Sequence, residues 1–92
     1  MANTRHLLNV LTAYKASIEK HQHRLRNDFD GLTTRWRVFR AVYDGDAAQE
    51  FHSGWAKTEV RFREYMYRLQ KINKLLEERI AALEEANRTG GL

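Results

Sequence analysis

Apolar side chains recur along this chain in steps of three and four, the spacing that places them on one stripe of an α-helix. Ahead of residue 43 the stripe runs Leu7, Leu11, Tyr14, Ile18, Gln22, Leu25, Phe29, Leu32, Trp36, Phe39, Tyr43. Beyond residue 47 it runs Ala48, Phe51, Trp55, Thr58, Phe62, Tyr65, Leu69, Ile72, Leu76, Ile80, Leu83. Both are heptad seams, and each carries one four-residue stutter, between Tyr14 and Gln22 and between Ile72 and Ile80. Only Tyr43-Asp44-Gly45-Asp46 between them has turn chemistry. Gly45 is free to take the left-handed conformation that closes a helix. Asp46 is placed to N-cap the next helix, with Gln49 three residues on as in a capping box. The pattern predicts one helical-hairpin domain over 1–92: a helix over about 5–42, a turn at 43–46, a helix over about 47–87 and a flexible tail at 88–92. Gly90-Gly91 marks the frayed end, and Gly31 and Gly54, inside the helical patterns, mark close backbone approaches or bends.

Folding the chain at Gly45 pairs residues whose numbers add to 90 or 91: Phe39 with Phe51, Trp36 with Trp55, Phe29 with Phe62, Leu11 with Ile80. The two stutters also fall at matching heights. The reading is therefore all-α: an antiparallel hairpin with arms of roughly 60 Å at 1.5 Å per residue. Its expected core and interface residues are Leu11, Tyr14, Ile18, Leu25, Phe29, Leu32, Trp36, Phe39, Trp55, Phe62, Tyr65, Leu69, Ile72, Leu76, Ile80 and Leu83. Ala47 and Ala48 let the arms approach at the turn, and Tyr43 and Phe51 plug the end. Two helices enclose little interior, and Leu8, Val38, Val42, Met66 and Leu75 widen the apolar stripe. That width predicts that a second hairpin packs on, giving a dimeric four-helix bundle.

Composition narrows the function classes. The chain has 92 residues, mean hydropathy −0.71, a formal charge of +4 and no cysteine or proline. A disulfide framework, a cysteine zinc site and a thiol nucleophile are excluded. The longest apolar runs are about four residues, far short of the ~18 a membrane span needs. No cleavable signal peptide is evident, since Asn9, Thr12 and Lys15 interrupt the early apolar run. His6, His21, His23 and His52 lack metal-ligand spacing and read as solvated or boundary side chains. Glu77-Glu78 and Glu84-Glu85 lie amid Lys74, Arg79 and Arg88 and read as a solvated, salt-bridged face. No catalytic residue, metal site or cofactor is expected, so an enzyme is the weakest candidate. Residues 1–43 carry eight Lys/Arg and three Asp/Glu, whereas residues 44–92 carry eight and nine. The basic first arm could meet nucleic acid or an acidic protein. The absence of any DNA- or RNA-reading motif disfavours the former.

The stretch Tyr43-Asp44-Gly45-Asp46-Ala47-Ala48-Gln49-Glu50-Phe51, followed by Trp55, resembles the central turn of the WXG family of small type VII secretion proteins, the ESAT-like proteins. The resemblance spans essentially the whole chain: about one hundred residues, two long helices, the motif near the middle. The family's Trp-x-Gly reads Tyr43-Asp44-Gly45 here, with tyrosine as the large amphipathic ring. The family's Tyr-x-x-x-Asp/Glu export signal is not matched by Tyr14, Tyr43, Tyr65 or Tyr67.

The resemblance implies a non-enzymatic protein, homo- or heterodimeric with another hairpin. It would be exported without a cleavable signal peptide through a type VII-like system, with a secretion ATPase or an effector as further partner. If the chain is exported, a partner then carries the signal. Two rival readings are a cytoplasmic adaptor or chaperone for a larger toxin or effector, and a basic nucleic-acid-binding bundle.

Overall fold

The computed structural model describes residues 4–89 as two long helices, α1 (Thr4–Val42) and α2 (Asp46–Thr89), folded back on each other. The molecule is a rod of 68 × 17 × 17 Å. The expected antiparallel hairpin and its turn are therefore present. Gly45 sits at φ +104°, the one positive-φ glycine among the described residues. The last α1-type bond runs from the Tyr43 N–H to the Phe39 carbonyl at 3.0 Å, and the first of α2 from the Gln49 N–H to the Gly45 carbonyl at 3.2 Å. Gly45 thus occupies the capping position, and Asp46 is the first residue of α2 rather than its N-cap. Its carboxylate still favours the positive end of the helix dipole. Asp44 supplies the turn's side-chain bond instead, its Oδ1 accepting from the Gly45 N–H at 2.8 Å.

Other expectations are corrected. Arg88 and Thr89 are helical, so the tail does not begin at 88; Gly90 and Gly91 lie outside the described residues. Gly31 and Gly54 mark no close approach, because a Cβ at either would meet nothing within 4 Å. Only Ala48 of the alanine pair faces inward; Ala47 is exposed.

The pairing register holds where the rings are. Phe29 and Phe62 stack at 4.0 Å between centroids, Trp36 and Trp55 at 6.0 Å, and Phe39 lies 5.6 Å from Phe51. Phe29 also stacks on Trp55 at 5.3 Å, so a continuous ladder of rings runs from Phe62 to the turn, where Tyr43 meets Phe51 edge-on at 6.5 Å. Each well-placed pair adds about 0.5–1.5 kcal/mol beyond its area.

The line of closest contact differs from the sequence reading at alternate layers. On α2 the inward positions are Ala48, His52, Trp55, Glu59, Phe62, Met66, Leu69, Asn73, Leu76, Ile80 and Leu83, an unbroken heptad with no stutter. On α1 they are Leu8, Leu11, Lys15, Ile18, Gln22, Leu25, Phe29, Thr33 and Trp36, with the doubled four-step at Leu25–Phe29–Thr33. Ile18, Met66 and Leu69 form the buried core, with Leu25, Phe62 and Leu76 packed against it. Leu11, Phe29, Trp36, Trp55, Ile80 and Leu83 are half-buried along the same line. Tyr14, Leu32, Phe39, Phe51, Tyr65 and Ile72 are not core of the hairpin: each is exposed. In five of these layers the inward place belongs to a chain neighbour, Lys15, Thr33, His52, Met66 or Asn73. A straight hairpin seam admits only one residue per half-turn, and the flanking partner of each such pair is turned outward.

Candidate protein-interaction surface

The seam divides the rod into two unlike flanks. Residues directly after the inward positions Leu11, Ile18, Leu25, Phe62, Leu69 and Leu76 are Thr12, Glu19, Arg26, Arg63, Gln70 and Glu77. An antiparallel pair brings these together on one side, as in any heptad seam. Glu19, Arg26, Arg63, Gln70 and Glu77 line an open groove with Gln22, His23, Lys71, Lys74 and Tyr67. Lys15 bridges the arms there, 2.7 Å from Glu19 and 3.6 Å from Glu77. The Glu19 hydrogen bond, aided by the charges of both glutamates, holds the Lys15 ammonium above its ordinary pKa.

The opposite flank carries the residues directly before Leu8, Lys15, Gln22, His52, Glu59, Met66 and Asn73: Leu7, Tyr14, His21, Phe51, Thr58, Tyr65 and Ile72. Val10, Gly54 and Leu75 lie beside them on the same side by helical spacing. His21 Nε2 and the Tyr65 hydroxyl meet across the arms at 3.0 Å, which fixes the two helices' flank residues on one face. Nearer the turn, Phe51, Gly54 and Thr58 form an open, mostly apolar groove with Trp36 and Trp55, with Glu50 at its margin. This flank is largely apolar and largely uncovered: Tyr14 is 54% exposed, Phe51 60% and Leu75 65%.

Between the flanks the interior is thin and partly polar. Asn73 is 9% exposed and its Nδ2 donates to Gln22 Oε1 at 2.6 Å. Its Oδ1 is buried without a partner, as is Nδ1 of His52, whose ring stacks on Trp36. No side chain among the described residues is fully buried.

The ring pairs Phe29–Phe62, Trp36–Trp55 and Phe39–Phe51 expected from the numbering lie within 6.0 Å between centroids, and Gly45 turns the chain, although it and not Asp46 caps α2. The sequence reading assigned Tyr14, Leu32, Phe39, Tyr65 and Ile72 to a single stripe that the structure splits into seam and flank. It did not single out the Asn73–Gln22 contact; Asn73 lies one residue after Ile72, and heptad counting from Leu69 reaches it. Among the described residues no three His, Asp or Glu side chains gather at metal-binding distance, and no helix is long and apolar enough to cross a membrane. What the arrangement offers is a flank with exposed apolar side chains on a hairpin whose own core is three buried residues.

No family model matches the chain, and neither a curated protein nor a solved structure matches it.

Proposed function

We propose that this chain is a non-enzymatic, ESAT-like hairpin that acts by helix–helix association. In this reading a second hairpin covers its apolar flank to form a four-helix bundle, and the pair is exported through a type VII-like secretion system, the co-exported partner supplying the export signal. The observation that carries the association is the uncovered flank of Leu7, Tyr14, Phe51, Tyr65 and Ile72, set against a core of three buried apolar residues. Surfaces of contiguous apolar side chains on small domains mark interaction sites. The export half rests on the resemblance of the Tyr43-Asp44-Gly45 turn and on its position between two long helices.

Two experiments test the halves separately. Light scattering coupled to size exclusion should give about twice the 10.9 kDa chain mass, alone or with its partner. Fractionation of culture medium from cells with and without the translocating ATPase should find the protein outside only in the former. Retention inside both strains, with the bundle intact, would leave an adaptor and remove the export claim.

A further inference from the structure

We infer that the partner on the apolar flank is an acidic helical hairpin rather than a second copy of this chain. The inference rests on the bundle reading above and adds the partner's chemistry. The flank is not uniformly apolar. By seven-residue spacing Arg24 continues the line of Val10, and Arg61 and Arg68 continue the line of Gly54 and Leu75. Counted from Gly45 these arginines lie 21, 16 and 23 residues away, on arms of roughly 41 to 44 residues, so they form a belt across the middle of the rod. By helical spacing the carboxylates nearest them are Asp28, four residues after Arg24, and Glu64, between Arg61 and Arg68, yet none of the ion pairs among the described residues engages Arg24, Arg61 or Arg68. The apolar patches sit towards the two ends: Tyr14, Ile72 and Leu75 far from the turn, Phe51 and Leu32 nearer it.

A belt at mid-height has a simple consequence. Whether a second copy docks turn-to-turn or turn-to-tail, its own belt falls on this one. Three arginines on each side would then face each other across a desolvating interface, and like charges so placed work against association. A hairpin with the same apolar ends and a carboxylate belt satisfies both parts of the face. The charge asymmetry between arms, five positive for residues 1–43 against one negative for 44–92, points to the same complement.

A charge-reversed copy of this chain, Arg24→Glu with Arg61→Glu and Arg68→Glu, is a ready acidic probe. All three positions are exposed, and helical circular dichroism checks that the variant folds. Sedimentation equilibrium is run on the parent, on the variant and on their equimolar mixture, at about 0.05 M and about 0.5 M NaCl. The mixture should associate at least about tenfold more tightly than the parent alone at low salt, with the gap closing as screening shortens from ~14 Å towards ~4 Å. The parent alone should tighten as salt rises. A parent dimer as tight as the mixture, and indifferent to salt, overturns the acidic partner while leaving the bundle standing. A reversal on the other flank, Arg26→Glu with Arg63→Glu, should give no such gain when mixed with the parent; an equal gain overturns the choice of face. If no sample associates at either salt, the bundle reading falls and this inference with it. Should the reversed copy fail to fold, the parent's salt dependence decides alone: tightening supports the belt's role, and constancy or weakening refutes it.

Discussion

Replacing Asn73 with leucine should stabilise the hairpin. The side chain is nine-tenths buried beside Leu69 and Leu76 on the inward line, and its one protein bond is the 2.6 Å contact from Nδ2 to Gln22 Oε1. The carbonyl end is buried with no partner. Rotating the amide exchanges the two ends and leaves the other one orphaned, so the position holds an unsatisfied group either way. Removing that group relieves about 1–3 kcal/mol, and the lost hydrogen bond returns about 0.5–1.5 kcal/mol of that. Gln22 is half-buried and can turn its amide to water. Burying a leucine adds about 1.5–3 kcal/mol, less what the larger side chain strains. The net expectation is a gain of about 1–3 kcal/mol, read from urea unfolding followed by helical circular dichroism, with an unchanged slope and a higher midpoint. A midpoint that falls would refute the reasoning. It would mean that the polar layer stabilises the pair, as an ordered amide pair bridged by water would. Where the single change stabilises, Asn73→Leu combined with Gln22→Leu should gain at least as much, because it leaves no polar group facing an apolar one.

Gly45→Val should lower stability by about 1–3 kcal/mol, since a β-branched residue resists φ +104°; a thermal melt like the parent's refutes the turn geometry. Gly54→Ala should gain up to about 1 kcal/mol in the isolated hairpin, because its Cβ would meet open space, and a loss in the same melt would point to an approach the hairpin does not contain. Phe29→Ala removes a ring sandwiched between Phe62 at 4.0 Å and Trp55 at 5.3 Å and should cost about 2–3 kcal/mol, below the 3–5 of a fully buried ring, by denaturant titration. Lys15 has its pKa raised by Glu19 and Glu77, so its contribution is present at neutral pH and is lost as pH rises through the folded pKa. Lys15→Met should abolish that alkaline step in a pH series of melts, and a step that persists assigns it to another group.

The hairpin was legible in the sequence because its determinants are local and redundant. Gly45 between two seams, and rings whose numbers add to a constant, leave one way to fold. The inward line was only half legible. At Phe51/His52, Tyr65/Met66 and Ile72/Asn73, two adjacent residues compete for one inward place, and choosing the more apolar or more ring-rich member picks the wrong one. The apolar stripe is wider than the inward line. His52, Met66 and Asn73 face the other arm, and Phe51, Tyr65 and Ile72 face outward. Keeping the α2 heptad unbroken from Ala48 to Leu83 would have found the inward set, at the cost of accepting a buried asparagine. The apparent stutter at Ile72–Leu76–Ile80 came from refusing it. The flanks' difference in polarity is also written in the sequence, but it becomes visible only once the inward line is known. The missing close approach at Gly31 and Gly54 has another cause: a glycine's neighbour across the arms depends on rotation about the helix axis, which spacing alone does not give.

The account turns on which flank is covered, and the cysteine-free chain allows a direct measurement. Thr58 lies on the apolar flank and Ala56 on the polar one, at nearly the same height, and both are small and exposed. Thr58→Cys and Ala56→Cys variants are alkylated with a maleimide at about 0.5 M NaCl over rising protein concentration. The account predicts that the rate at residue 58 falls about tenfold as association approaches nine-tenths completion, by mass action, while residue 56 keeps its monomer rate. Equal protection at both positions, or protection at 56 alone, would contradict it.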